Sequence, residues 1–237
     1  MTTIKAEPIT GSPLFVFEGK RGSELWQKVC RHFGIDPKAA QHLLGEGTQA
    51  EVYEVEGGRV LKFTWDDLDA RALALTAQHP DPHGNVVRVL RNHNAGVVEV
   101  RSSVGSIYVM EVERLTKLNQ AEPFGFWIKA WHLYAVGAFP YKDVAPQNLD
   151  AFFDDMEKKY GNDREGWEEF KVWIEQLANY LVDSGIRYHD LWIENVMKRG
   201  SNYVVIDLGY SHSDRAGPIS VISRYLDRLA GMLRRSV

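Results

Sequence analysis

Two stretches constrain this 237-residue chain more than any others: Tyr188-His189-Asp190-Leu191-Trp192-Ile193-Glu194-Asn195, and the run Tyr203-Val204-Val205-Ile206 that ends at Asp207-Leu208-Gly209. Asp190 and Asn195 are close enough in sequence to share one tight loop. The run from 203 to 206 is rich in β-branched residues and is closed by a glycine turn, which reads as a strand carrying a second carboxylate to its end. An aspartate, an amide and a second aspartate delivered together supply hard oxygen donors for magnesium and one carboxylate to act as a base.

A second pattern lies upstream. Leu44-Gly45-Glu46-Gly47-Thr48-Gln49-Ala50-Glu51-Val52-Tyr53 reads as a glycine-rich hairpin; a turn at Gly57-Gly58 follows, then Arg59-Val60-Leu61-Lys62-Phe63. Glycines at 45 and 47 allow a backbone to lie close over phosphates with no side chain between. On a strand of period two, Val60 and Lys62 share one face and Leu61 and Phe63 the other. Lys62 would then project beside the hairpin.

The length suits one large domain or a two-lobed one, and the composition, with 25% charged and 11% aromatic residues, suits a protein with a sizeable core. The net charge of −4 implies no general attraction to nucleic acid. Cys30 is the single cysteine, so no internal disulfide forms, which fits a reducing cytoplasm. It falls in an amphipathic segment, 24–33, and is expected to pack. The start, Met1-Thr2-Thr3-Ile4-Lys5-Ala6-Glu7, shows no apolar signal region, and no apolar run reaches membrane-spanning length, so no membrane partner is expected.

Along the chain, 14–17 reads as a short strand and a helix opens near Gly22-Ser23 and ends at Gly34. A helix is expected over 66–78, broken by Pro80, Pro82 and Gly84. Three strands follow: 86–90, 97–100 after a turn at Asn94-Ala95-Gly96, and 106–113. From 118 to 185 the pattern is helical, with helices over 123–136, 147–160 and 167–182; Phe170, Trp173, Ile174, Leu177, Tyr180 and Leu181 form a core stripe. Tyr210 to Pro218 reads as a loop and Ser220 to Arg235 as a closing helix.

Taken together, the glycine loop, Lys62, Asp190–Asn195 and Asp207-Leu208-Gly209 resemble the protein-kinase patterns Gly-x-Gly-x-x-x-x-Val, Val-Ala-Ile-Lys, His-Arg-Asp-Leu-Lys-Pro-Glu-Asn and Asp-Phe-Gly. Tyr188 stands at the histidine position, His189 at the arginine position and Leu208 at the phenylalanine position. About thirty residues follow Asp207, without the longer activation segment and later helices of a full-length protein kinase. Over 42–212 the chain is similar to the compact serine/threonine protein kinases of lytic bacteriophages. The resemblance implies an α+β, protein-kinase-like two-lobed fold with a small antiparallel-sheet lobe and a truncated helical lobe. Residues 1–40 would be an amino-terminal extension, 41–113 the nucleotide-binding lobe and 114–237 the catalytic lobe.

The resemblance also implies ATP and magnesium as cofactors and a protein as phosphoryl acceptor, host proteins among the candidates, in the host cytoplasm. Residue by residue, Gly45 and Gly47 would cover the phosphates and Lys62 would bind the α- and β-oxygens. The backbone of Glu111 and Val112 would meet adenine, with Met110 behind it. Asn195 and Asp207 would hold magnesium, and Asp190 would orient the acceptor hydroxyl. His189 would contact the γ-phosphate or brace the loop. The helix after the lysine strand carries no glutamate, so the acid pairing with Lys62 is expected to be an aspartate, with Asp69 put first and Asp66 and Asp67 open. Small-molecule phosphotransferases of the aminoglycoside type share this grammar, and Asp190-Leu191-Trp192 suits them. A non-catalytic binding module is the third reading, against which stand Lys62, Asp190, Asn195 and Asp207, all intact.

Overall fold

A computed structural model describes residues 20–38, 42–46, 50–100, 103–138 and 141–208. Gly47, the expected strand at 14–17, Gly209 and the expected loop and helix beyond it lie outside the described residues. The first helix, α1, spans Lys20–Phe33. The strands β1 (His42–Glu46), β2 (Ala50–Val55) and β3 (Arg59–Thr64) follow, with a turn over Glu56–Gly58 between β2 and β3. Helix α2 spans Asp67–Gln78, and β4 (Val89–Val100) and β5 (Ser103–Val112) make a long hairpin. These strands form one five-stranded antiparallel sheet in the order β1-β2-β3-β5-β4.

The helical part follows with α3 (Pro123–Gly137), α4 (Pro146–Tyr160) and α5 (Trp167–Asp183). A three-stranded sheet completes it, from β6 (Thr116–Lys117), β7 (Val196–Arg199) and β8 (Asn202–Val205). The class is α+β, with a sheet part followed by a largely helical part. Among the described residues no helix is long and apolar enough to cross a membrane.

One expectation is corrected. The segment Asn94-Ala95-Gly96 does not turn: β4 runs through it, and a register shift against β5 between Asn94 and Gly96 absorbs the irregularity. A bulge of this kind bends a strand without ending its pairing. Two strands therefore stand where three were read, and Val86 makes only an isolated parallel bridge, to Val205.

The two faces of the large sheet bury different things. On one face, Trp26, Val29, Cys30 and Phe33 of α1 pack with Tyr53, Leu61, Phe63, Ile107 and Val109. Helix α1 is thus part of the sheet's core. Glu111 ties it down: its carboxylate accepts from Arg59 Nε at 2.7 Å and Arg91 Nε at 2.6 Å, and both arginines also donate to the carbonyl of Phe33. Those donors satisfy a carbonyl at the helix C-terminus, where no intrahelical partner exists. Burial pushes the Cys30 thiol up to about 12, the Asp36 carboxylate adding to it, so Cys30 packs as a small hydrophobe.

The other face, with Val60, Met110 and Val112, is continuous with the core of the helical part. There Phe124 stacks on Tyr203 with ring centroids 3.4 Å apart, Trp167 and Phe170 are fully buried beside Phe152, and the buried Trp127 packs on Trp167. This stripe fixes α3, α4 and α5 against β8 and holds the loop that follows α5.

Candidate functional site

The site forms where the inner face of the sheet meets the loop after α5. Lys62, in the middle of β3, is flanked by β2 and β5, its alignment being Val52 on one side and Met110 on the other. Its face is the inner one. Lys62 Nζ lies 2.8 Å from Asp69 Oδ2 and 3.8 Å from Asp207 Oδ1, and donates to the carbonyl of Ile206 at 3.2 Å. Two distant parts of the chain, α2 and the segment 206–207, therefore converge on one ammonium.

The three aspartates left open by the sequence separate clearly. Asp66 is the N-cap of α2, its carboxylate accepting from the amide of Leu68 at 2.9 Å. Asp67 is exposed in the first turn. Asp69 is 2% exposed and meets Lys62. It also accepts from the amide of Leu208, at 3.3 Å, so α2 holds both the lysine and the residue after Asp207.

Burial draws the Lys62 ammonium towards neutrality, but Asp207 and Asp69 outweigh it and its pKa rises. Burial pushes Asp69 up to about 6, against the opposing pull of Lys62. A buried pair of this kind contributes little to stability, because removing two charges from water costs about as much as their attraction returns. Its retention is better explained by work done at the site.

That shift has a measurable sign. The folded Asp69 binds its proton more tightly than the ordinary carboxyl at 3.8. Its contribution to stability is therefore present at low pH and is lost as pH rises through about 6. Compared with Asp69→Asn, which cannot titrate, the native protein is expected to gain roughly 1 kcal/mol between pH 7 and pH 5. Urea melts of both proteins at the two pH values check this. A difference that shrinks on acidification would show Asp69 to be an ordinary low-pKa partner.

The loop after α5 is held from several sides. Tyr188 is fully buried; its hydroxyl donates to the carbonyl of Asp190 at 2.7 Å, and its own carbonyl accepts from Val144 at 2.7 Å. Asn195 Nδ2 donates to the carbonyl of Asp190 at 2.9 Å and to Asp190 Oδ2 at 3.1 Å. The amide of Ile206 donates to the carbonyl of Asn195 at 2.9 Å, which sets Asp207 beside the loop. Asp190, Asn195 and Asp207 thus share one small region, with Lys62 next to it. His189 is half-buried between Tyr188 and Asp190.

The donor set suits magnesium. Asn195 presents its amide nitrogen to Asp190, which leaves its carbonyl oxygen as the remaining donor. The Asp207 side chain is 42% exposed and faces the same region. Among the described residues there is no cluster of three or more His, Cys, Asp or Glu side chains able to cage a metal. One carboxylate and one amide oxygen match an ion that takes its other ligands from phosphates and water.

Other expected contributors are placed differently. Gly45 is exposed on the edge strand β1. Glu111 and Val112 lie inside β5, aligned on one side with Leu61 and Val60 and on the other with Arg91 and Val89. A strand flanked on both sides spends its peptide groups on its neighbours. The two residues read as the adenine contact, Glu111 and Val112, thus lie within the paired part of β5, which ends at Val112. The carboxylate of Glu111 points to the opposite face, onto the clamp at Phe33.

Sequence reasoning did not single out Tyr188, read only as a substitution at a family position, nor Glu113 and Arg199, which are paired across the junction of the two parts. A tyrosine two residues before the aspartate is a signal for the first. The second pair spans 86 residues and leaves no local pattern.

No protein-family model matches this sequence, and no curated protein matches it. Among solved structures, the chain is similar to that in the streptomycin–ATP–APH(2″)-IIa ternary complex: identity is 14%, the match covers 78% of this chain and 70% of the other, and the TM-score is 0.32.

Proposed function

We propose that the protein is an ATP-dependent kinase that transfers the γ-phosphoryl group to a hydroxyl, the acceptor being serine or threonine of a protein. The observation that carries the phosphotransfer reading is the convergence of Lys62, Asp69, Asn195, Asp207 and Asp190 in one place. A module kept for binding alone has no physical use for a buried lysine–aspartate pair beside further carboxylates.

Adenine would lie between the inner face of the sheet, at Val60 and Val112, and the start of the helical part, its edge against the backbone of 113–115. Lys62 would take phosphate oxygens, its ammonium aimed by Asp69. Asn195 and Asp207 would hold magnesium, which neutralises the charge developing on the phosphates. Asp190, steadied by Asn195 and by Tyr188 through its carbonyl, would orient the acceptor hydroxyl and take its proton. Positioning and charge neutralisation supply most of such a barrier reduction.

The protein acceptor rests on the resemblance of the loop motifs to compact bacteriophage kinases, with host proteins as the acceptors in an infected cell. One observation favours a small-molecule acceptor instead. The stretch before α4 lies along the catalytic loop, Val144 bonded to Tyr188 and Asp143 3.7 Å from Arg187, and the ring of His132 of α3 packs tilted against that of Trp192 at 4.2 Å. On this reading a small acceptor would be held among these groups, beside Asp190. Incubation with γ-labelled ATP and a cell lysate, followed by separation of protein from small solutes, decides between them. Label is expected on protein serine or threonine; label in the small-solute fraction alone would assign the small-molecule acceptor.

A further inference from the structure

Arg199 ends β7, and its guanidinium reaches two separate parts of the chain, Glu113 and the segment 84–86. Nε donates to Glu113 Oε2 at 2.6 Å, and Nη2 meets Glu113 Oε1. Nη1 donates to the carbonyl of Gly84 at 2.7 Å and Nη2 to that of Val86 at 3.3 Å. Glu113 is held in turn, its amide donating to the carbonyl of Arg88 at 3.1 Å and its Oε1 accepting from the amide of Arg88 at 2.7 Å. Gly84 has φ +76, which strains any other residue, and a Cβ there would lie 2.6 Å from Arg199 Nη1 and push the guanidinium aside.

These contacts join the pieces that must be in register for phosphoryl transfer. Glu113 opens the segment after β5. Residues 84–88 link α2, which carries Asp69, to β4. The same residues bond to β8: Val87 donates to the carbonyl of Val205 at 2.9 Å, and Val205 donates to that of Asn85 at 2.8 Å. The hairpin of β7 and β8 begins just after Asn195 and ends just before Asp207. One forked cation can hold a carboxylate and two carbonyls at fixed angles; a lysine, with one point charge, cannot.

We infer that Arg199 is a positioning residue: by tying Glu113 and the 84–86 carbonyls to the β7–β8 hairpin, it sets the adenine-binding segment in register with Asn195 and Asp207. It touches neither nucleotide nor acceptor. This rests on the phosphotransfer reading above.

The test uses the full chain with Arg199→Lys, Arg199→Ala and Glu113→Gln, and two readouts. In steady-state assays, Arg199→Lys is expected to raise KM for magnesium-ATP by on the order of tenfold while KM for the acceptor is unchanged. Millimolar guanidinium should restore the Arg199→Ala enzyme, and methylammonium should not. Equal rises in both KM values, or a native KM for magnesium-ATP in Arg199→Lys, would overturn the inference. The second readout is hydrogen exchange at the amides of Val87 and Val205 in the nucleotide-free protein. Faster exchange in Arg199→Lys and Glu113→Gln supports the tie, and native rates in both overturn it. Exchange needs no turnover, so a native protein that neither binds nor uses ATP would sink the phosphotransfer reading while this readout still judged the tie. Should Arg199→Ala fail to fold, the lysine and glutamine variants carry both readouts.

Discussion

Asp190→Asn is expected to slow phosphoryl transfer by about 10²–10⁴-fold while leaving the fold and nucleotide binding in place. The substitution keeps the side chain's volume and removes the only part of it that can take a proton. The loop should hold, because Tyr188 and Asn195 both grip the carbonyl of residue 190, which the substitution does not touch. Magnesium-ATP at about 100 times its Kd should still stabilise the variant by roughly 2.7 kcal/mol, seen as a melting shift equal to that of the native protein. A variant that transfers phosphate at the native rate would show that the base lies elsewhere. One that neither transfers nor gains stability with nucleotide would show that Asp190 is needed for the architecture.

Loss of Asp69 should be costly in a different way. Asp69→Ala leaves the Lys62 ammonium, 5% exposed, without its nearest counter-charge, and removes the acceptor for the amide of Leu208. Breaking a buried pair from one side costs about 3–5 kcal/mol. The double variant Lys62→Met with Asp69→Asn removes both charges and keeps an acceptor for Leu208. It is expected to recover most of that loss in urea melts while remaining inactive, since nothing is left to take the phosphate oxygens. Stability and activity would then part company at the same two positions. If the double variant is as unstable as Asp69→Ala, the pair is structural in its own right. If it keeps native turnover, Lys62 does not bind phosphate.

How much of this was legible in the chain depended on distance along it. The helices over 123–137, 146–160 and 167–183 lie within a residue or so of the boundaries that apolar spacing gave, because a buried helical face imprints its period directly. The loop holding Asp190 and Asn195 was equally visible, since its hydrogen bonds span five residues. Sequence failed at Asn94-Ala95-Gly96, where a turn-forming composition was overridden by pairing with β5.

The sequence by itself determined the order of the parts: a glycine hairpin, a strand lysine, an acidic helix start, a helical region, then the paired loop and terminal aspartate. Each is a local pattern, set by a few neighbouring residues. Only the tertiary structure decided which aspartate meets Lys62, because side chains on a helix turn by about 100° per residue and packing of α2 chooses the one that faces inward. Only the register of β5 between β3 and β4 showed that Glu111 and Val112 spend their backbones on the sheet, and that the carboxylate of Glu111 serves α1 on the far face. And only the fold could bring Arg199 to Glu113, since an ion pair across 86 residues forms when two surfaces meet and has no trace in either segment alone.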